Sequence, residues 1–435
     1  MKIVLRKVLF ALPGLAVLIL SLFADVLQIG NTNGVGTTQI AGIVVGILMM
    51  MLGVIFAGRE ASSNPGQQLS LKKKLVFSSC VVSCIMLILL VGFGIYESHR
   101  IYTIVTSKVW RGWIGSPHQP DRLLGYKAVS NGRGQHTFSI GPNIPMRYDS
   151  LGFRVPVDTT NNDRSQLRPT ILFLGCSFTY GDACIAEETF PELVGQMSGG
   201  TALNAGKCSY GLGQMVFLAR RLVSKFTPDF VVVQYSPWLI DRAMNPFMPS
   251  YFGRAPGPYY ANNKKGELVL QPPLFRSMLY ELPFDKFKGA SNPGFMAFCN
   301  DVGAPLLIHD AWNMTRYRIQ SMFGLVPAPT TDKRAVIRNG YEEIFNICRK
   351  NEAQIVLLVL GRSENRIEIP TALPVNDVLI VDAQTALIDR LEVGQKYQNA
   401  YAHWRGNPEV YIDGHPNAHA HSIIADELMS VISSK

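Results

Sequence analysis

The chain has 435 residues, of which 47% are hydrophobic and 17% charged, with a formal net charge of +9. That length and apolar content leave room for a membrane portion beside a full-sized domain. The positive excess is modest and no RNA- or DNA-binding motif accompanies it, so a nucleic-acid partner is excluded while anionic glycans or headgroups are permitted.

The apolar residues concentrate near the start. Val8 to Phe23, Ile40 to Ala57 and Leu75 to Tyr96 are nearly uninterrupted apolar runs. The second and third meet the roughly 20 residues needed to span a bilayer. The first is shorter, and Lys2, Arg6 and Lys7 ahead of it also fit a secretory signal. Leu22-Phe-Ala24 is a poor small-x-small cleavage sequence, so a retained helix is expected. Residues 1–100 are therefore read as a membrane region with about three transmembrane helices. The loop from Asp25 to Gln39 carries no Lys or Arg, whereas Gly58 to Lys74 carries Arg59, Lys72, Lys73 and Lys74. The positive-inside rule then puts the N-terminus and second loop in the cytoplasm and everything after Tyr96 outside.

Residues 101–167 are rich in Gly, Pro, Arg and Asn, and are expected to form a juxtamembrane stalk packed on the domain that follows. From 168 to 435, strand and helix signals alternate as in a parallel α/β sheet. The expected strands are Thr170–Leu174, Thr201–Asn204, Phe230–Tyr235, Gln354–Leu360 and Val378–Val381. The expected helices are Glu187–Met197, Gln214–Phe226, Lys333–Lys350 and Ala418–Ser433. Five parallel strands between helices predict an α/β fold, a flavodoxin-like three-layer sandwich. An insertion at about 245–331 breaks the rhythm with many Pro, Gly, Tyr and Phe residues and short helical pieces. Its aromatics argue against disorder. It is either a cover for one sheet edge or a lid over the site.

Thr170 to Gly181 reads TILFLGCSFTYG, an apolar run stopped by Gly175, with Ser177 two residues later. That pattern is a buried strand ending in a tight turn, and ligands bind at the carboxyl edge of such sheets. A serine there has backbone N–H groups at hand for a developing oxyanion. Near the other end, Asp413-Gly-His415 lies in a loop closed by a C-terminal helix. His415 can accept a serine proton while Asp413 fixes its tautomer. The candidate catalytic residues are therefore Ser177, His415 and Asp413. His419 and His421 are read as cap or surface residues. His415 and His419 are four apart, but Pro416 and Asn417 between them indicate a turn, and no metal is expected. Seven cysteines do not make a disulfide scaffold at this length. Cys176, Cys184 and Cys208 lie near the site loops, and spacing leaves open whether any pair bridges.

GCSFTYG resembles the first block of the SGNH (GDSL-type) hydrolases, and Asp413-Gly-His415-Pro-Asn417 their last. Asp149-Ser-Leu-Gly152-Phe-Arg154 is similar to the N-x-x-G-F-R that precedes the first block in membrane-linked bacterial members, with Asp149 in place of asparagine. Leu203-Asn204-Ala-Gly206-Lys-Cys-Ser209-Tyr-Gly211 resembles the second block. The likeness covers roughly Tyr148 to Lys435. It implies that the N–H groups of Ser177 and Ser209 receive an oxyanion and that Gly206 borders the substrate. Cys176 stands where the family has aspartate. Where the third block places an asparagine, this chain has Trp238, expected to be an acyl or sugar platform, with Asn245 as the remaining amide candidate for the oxyanion hole.

The resemblance implies a membrane-anchored serine esterase or O-acyltransferase, with a cell-surface polysaccharide O-acetyl group as target, as in the similar alginate O-acetyltransferase-like proteins. The implied partners are an acylated glycan or other ester, the membrane and, for transfer, a separate acyl-donor membrane protein. No cofactor is implied. The implied location is the bacterial inner membrane, with the catalytic domain on its periplasmic side. The alternative is a non-catalytic glycan-binding or assembly protein that keeps the fold.

Overall fold

The computed structural model describes residues 112–115, 117–138, 140–158, 167–250, 253–281 and 304–434, with a few isolated positions before 112. The chain divides into two compact units, Met1–Phe93 and Gly94–Lys435. The three expected membrane helices lie almost wholly outside the described residues. Among those described, no helix is long and apolar enough to cross a membrane.

The second unit opens with six short strands: β1 (Gly112–Gly115), β2 (His118–Asp121), β3 (Gly125–Ala128), β4 (Arg133–Thr137), β5 (Ile144–Tyr148) and β6 (Arg154–Val155). β2 and β3 form an antiparallel hairpin, and the other four make an antiparallel sheet in the order β1-β4-β5-β6. The segment packs on the domain that follows, as expected, and does so as folded strands rather than as loops. Leu124, Tyr126, Met146, Tyr148 and Phe153 are buried in the same core as the parallel sheet. The composition looked loop-like because the strands are short and separated by Gly and Pro.

The parallel sheet is built from β7 (Thr170–Leu174), β8 (Thr201–Asn204), β9 (Phe230–Tyr235) and two strands that come later in the chain. After β7 come the one-turn helix α1 (Ser177–Tyr180) and helix α2 (Phe190–Met197). Helix α3 (Leu212–Phe226) joins β8 to β9, and α4 (Pro237–Ala243) follows β9. The insertion then forms two hairpins, β10 (Phe247–Ser250) with β11 (Gly253–Pro256) and β12 (Tyr259–Asn262) with β13 (Leu268–Gln271). It closes with α5 (Ala304–Met322), a helix longer than the short pieces expected; residues 282–303 lie outside the described residues. Helix α6 (Lys333–Lys350) leads back to β14 (Gln354–Val359) and β15 (Leu379–Asp382). The chain ends with α7 (Ala383–Asp389), α8 (Tyr397–Tyr401), the hairpin β16 (His403–Arg405) with β17 (Val410–Asp413), and α9 (Ala418–Ile432).

The sheet order is β15-β14-β9-β7-β8, with every pair parallel. In sequence rank that is 5-4-3-1-2, the doubly wound order of flavodoxin-like sheets. All five residues of β7 are buried, as a central strand covered on both faces requires. Right-handed crossovers put α2 on one face and α3 and α6 on the other, because the chain reverses direction after β8. Accordingly α2 packs with α9, and α3 with α6. The reversal leaves a crevice at the carboxyl ends of β7 and β9, the switch point where ligands bind in such sheets.

Candidate active site

The turn after β7 is fixed by what surrounds it. A Cβ on Gly175 would come within 2.0 Å of Thr179 Oγ1 and 2.5 Å of Gln234 Oε1, so only glycine fits. Gln234, fully buried on β9, accepts from Cys176 N–H at 3.1 Å and from the Thr179 hydroxyl at 2.8 Å. Its amide nitrogen donates to Ser236 Oγ at 2.8 Å, and Ser236 Oγ donates to Leu360 O at 2.7 Å. Three strand ends are thereby tied together beneath Ser177.

The carboxyl end of α1 is held from the N-terminal sheet. The Arg154 guanidinium donates to the carbonyls of Tyr180 (2.7 Å), Gly181 (2.5 Å) and Cys184 (2.5 Å) and lies over the Tyr180 ring. Asp149 Oδ1 accepts from the N–H groups of Leu151 and Phe153, both at 2.9 Å, and Gly152 supplies the left-handed turn at φ 86°. The D-S-L-G-F-R motif is thus an Asx turn that aims Arg154 at the turn behind Ser177.

Ser177 Oγ lies 2.8 Å from His415 Nε2, and His415 Nδ1 lies 2.5 Å from Asp413 Oδ1. The same Asp413 oxygen also accepts the His415 backbone N–H at 2.7 Å. Ser177 is 3% exposed, Asp413 is fully buried, and the His415 side chain keeps 20% of its surface open. These partners assign the tautomer: Nδ1–H donates to the carboxylate and Nε2 accepts from the serine hydroxyl. Such a set can deprotonate a hydroxyl and stabilise the imidazolium that results.

The N–H groups of Ser177 and Ser209 make no hydrogen bond among the described residues. Ser209 sits at φ 64°, a left-handed conformation uncommon for serine. Gly206 donates its N–H to Asn204 Oδ1 at 3.1 Å and packs against the backbone of α1. Asn204 in turn donates to Thr179 O at 3.1 Å, tying the two loops together. The Asn245 carboxamide oxygen accepts from Phe247 N–H at 2.9 Å, closing a turn at the start of β10. None of the contacts around Ser177 and His415 involves it. Trp238 packs on Phe178 with ring centroids 5.2 Å apart, and Phe178 meets the His415 ring edge-on at 5.4 Å. On the indole, where an acyl or sugar platform was expected, the Arg362 guanidinium lies 4.2 Å from the ring centroid.

Three charged features escaped the sequence reading. Asp182, buried and bonded to His136 Nδ1 at 2.9 Å, places its other oxygen 3.9 Å from His415 Nε2. Its position five residues after Ser177 was a usable signal; His136, in the supposed stalk, gave none. Arg362 follows the carboxyl end of β14, where strand-end charged residues of such sheets deserve notice. His421 is a correction. It is fully buried rather than a surface or cap residue, accepts from Phe190 N–H at 3.2 Å, and burial lowers its pKa to about 3. The cap of α9 is Asn417, which accepts from Ala420 N–H, and His419 stacks on Tyr401 at the surface. The described cysteines Cys176, Cys184, Cys208 and Cys348 are buried free thiols. Burial would raise the Cys176 thiol, but the Arg242 charge and nearby hydrogen bonds leave it below its usual range.

No protein-family model matches the chain, and no curated protein matches it. Among solved structures it is similar to the psychrotrophic esterase EstA from Pseudoalteromonas sp. (11% identity, TM-score 0.29, covering 61% of this chain and 97% of that one). It is also similar to a catalytic mutant of an acetylxylan esterase from Geobacillus stearothermophilus (13% identity, TM-score 0.30, covering 62% and 96%). A GDSL-like lipase from Bacteroides thetaiotaomicron matches at 12% identity and TM-score 0.28, covering 61% and 88%. Likeness at this level adds nothing to what the sheet order and side-chain geometry already say.

Proposed function

We propose that this chain is an SGNH-type serine esterase or O-acyltransferase acting on acyl esters. The observation that carries the reading is the unbroken line of contacts from buried Asp413 through His415 to Ser177, at 2.5 and 2.8 Å. Ser177 Oγ attacks the acyl carbonyl while His415 Nε2 takes its proton. The carbonyl electrons move to oxygen and are received by the N–H groups of Ser177 and Ser209. The tetrahedral intermediate collapses, expelling the alcohol, which leaves with the proton from His415. An acyl-serine remains. Water then attacks by the same steps in hydrolysis, or a sugar hydroxyl in transfer, and Ser177 is regenerated. Asp413 holds the ring and its positive charge throughout. An organophosphonate should label Ser177 stoichiometrically, and Ser177→Ala should abolish both labelling and aryl-acetate turnover. Retained turnover in the folded variant would transfer the role to another group.

The apolar runs before Tyr96 and the Lys/Arg asymmetry of their loops support a membrane anchor with the domain outside the cytoplasm of a bacterial cell. A surface polysaccharide O-acetyl group is the target that fits this location. A transferase in this setting needs a separate membrane protein as acyl donor. Reporter fusions at Pro65 and at the C-terminus should give opposite signals; matching signals would refute the topology.

A further inference from the structure

Arg362 stands out among the charged residues around the crevice. Its guanidinium carbon lies 4.2 Å from the Trp238 indole centroid and 5.6 Å from the centre of Phe178, the residue that follows Ser177. Among the described residues it has no ion pair and no hydrogen bond. Some exposed arginines of the domain are paired, as Arg220 with Glu343 and Arg349 with Asp377, and others, such as Arg221 and Arg338, have no ion pair among the described residues. What distinguishes Arg362 is its place over Trp238 and Phe178, next to Ser177. The largest influence of charge on Arg362 is the repulsion of Arg242. Although the residue is exposed as a whole, burial of its head group and the Arg242 charge together lower its pKa. Among the described residues Arg242 has no carboxylate partner either, and it donates to Tyr210 O at 2.7 Å. The two guanidinium groups thus act on each other with no ion pair on either among the described residues.

Stacking on Trp238 does not satisfy Arg362. It holds the planar group by its face and leaves its rim of N–H donors free, the arrangement suited to bidentate capture of an oxyanion. Tyr411, 43% exposed and edge-on to Trp404 at 5.5 Å, stands near enough to act on the Arg362 charge. Its hydroxyl approaches Gly414, the residue before His415. The mouth therefore offers aromatic faces with polar rims, which suit a sugar ring better than an acyl chain.

We propose that Arg362, supported by Arg242, forms an anion subsite beside Ser177 and that the esters handled there are borne by acidic saccharides carrying a carboxylate or phosphate. This rests on the esterase reading above and narrows it to a substrate class. The catalytic steps are unchanged; the subsite binds the anion and thereby positions the neighbouring acyl ester at Ser177.

The test compares acetylated methyl glucuronoside with the corresponding glucuronamide, which differs only in charge, and with an acetylated glucoside 6-phosphate. The wild type should favour one or both anionic acetates over the amide by about 10–100-fold in kcat/KM, the range of a charge-assisted hydrogen-bond pair. Arg362→Gln should collapse that ratio toward one, and Arg362→Lys should restore part of it. The anion whose preference depends more on Arg362 identifies the source. Equal turnover of acid and amide by the wild type, or a ratio that survives Arg362→Gln, would overturn the subsite. If no acetate is turned over, the esterase reading falls. Calorimetry of Ser177→Ala with the deacetylated glucuronoside, the glucoside 6-phosphate and the amide then decides the subsite by itself: tighter binding of an anion supports it and equal binding refutes it.

Discussion

Gly206 offers a direct test of how the two site loops depend on each other. A Cβ placed there would stand 2.6 Å from Tyr180 N, 2.9 Å from Thr179 Cβ and 3.0 Å from Cys176 O. Ordinary contact begins near 3.4 Å, so the loops must separate by about 0.8 Å. The obstructing atoms are mostly backbone and lie on both sides of Ser177, so no side-chain rotation relieves them. Helix α1 must move as a unit away from the loop that carries Ser209. A misplacement of about 1 Å can cost roughly 100-fold in rate, and overpacking of this kind costs about 1–3 kcal/mol in stability. Gly206→Ala is therefore expected to lower kcat on an aryl acetate about 100-fold, with a folded circular-dichroism spectrum and a modestly lower Tm. Gly195→Ala is the control, because its Cβ would meet Ala202 Cβ at 2.8 Å, between α2 and β8. It should lose stability while keeping kcat. Full activity in folded Gly206→Ala, or an equal fall in kcat for Gly195→Ala, would refute the idea that loop separation sets the rate.

Asp413→Asn should leave the fold intact but lower kcat by about 10⁴-fold, because the amide no longer fixes the His415 tautomer; a loss under about tenfold would remove Asp413 from the mechanism. Stability should fall on mild acidification. Burial lowers the pKa of His421 to about 3 and of His403 to about 4, against 6.5 unfolded, and holds His118 well below its usual value. The unfolded chain therefore binds more protons below 6.5, so stability is full above that pH and declines as pH drops through it toward 4. Each histidine contributes a slope of up to about 1.4 kcal/mol per pH unit. Urea midpoints measured from about pH 8 to about pH 5 should show this decline, and a flat profile would contradict the buried neutral histidines.

The parallel sheet was legible because its strands are continuous apolar runs. Ile171 to Leu174 and Val231 to Val233 have no polar face to confuse, since both faces are covered by helices. Ser177, Asp413 and His415 were legible because each lies where such a sheet presents its loops. The N-terminal strands were not, because their apolar residues are few. Tyr126 is packed by Tyr210 and Tyr280, Tyr148 by Tyr180 and Phe153 by Phe226, relations no local period reports. His421 misled for the same reason: its helix position looked solvent-facing until α2 packed against α9. Trp238 was placed correctly at the end of β9, but that Arg362 lies on its face depends on a side chain more than 100 residues later.

The grip of Arg154 on three carbonyls gives the unit an indivisible beginning. Those carbonyls belong to the turn behind Ser177, yet the guanidinium reaches them from β6, before the parallel sheet starts. A fragment beginning at Thr170 would keep every strand of the sheet and all of Ser177, His415 and Asp413. It would still take the Arg154 donor from all three. Gly181 O and Tyr180 O would keep only long bonds from Cys184 N–H (3.3 Å) and Asn204 Nδ2 (3.5 Å). Buried Cys184 O would be left with no other donor among the described residues, at a cost of about 1–3 kcal/mol. Any secreted or recombinant version of this domain has to include Arg154 and the strand that carries it, whatever becomes of the apolar segments before it.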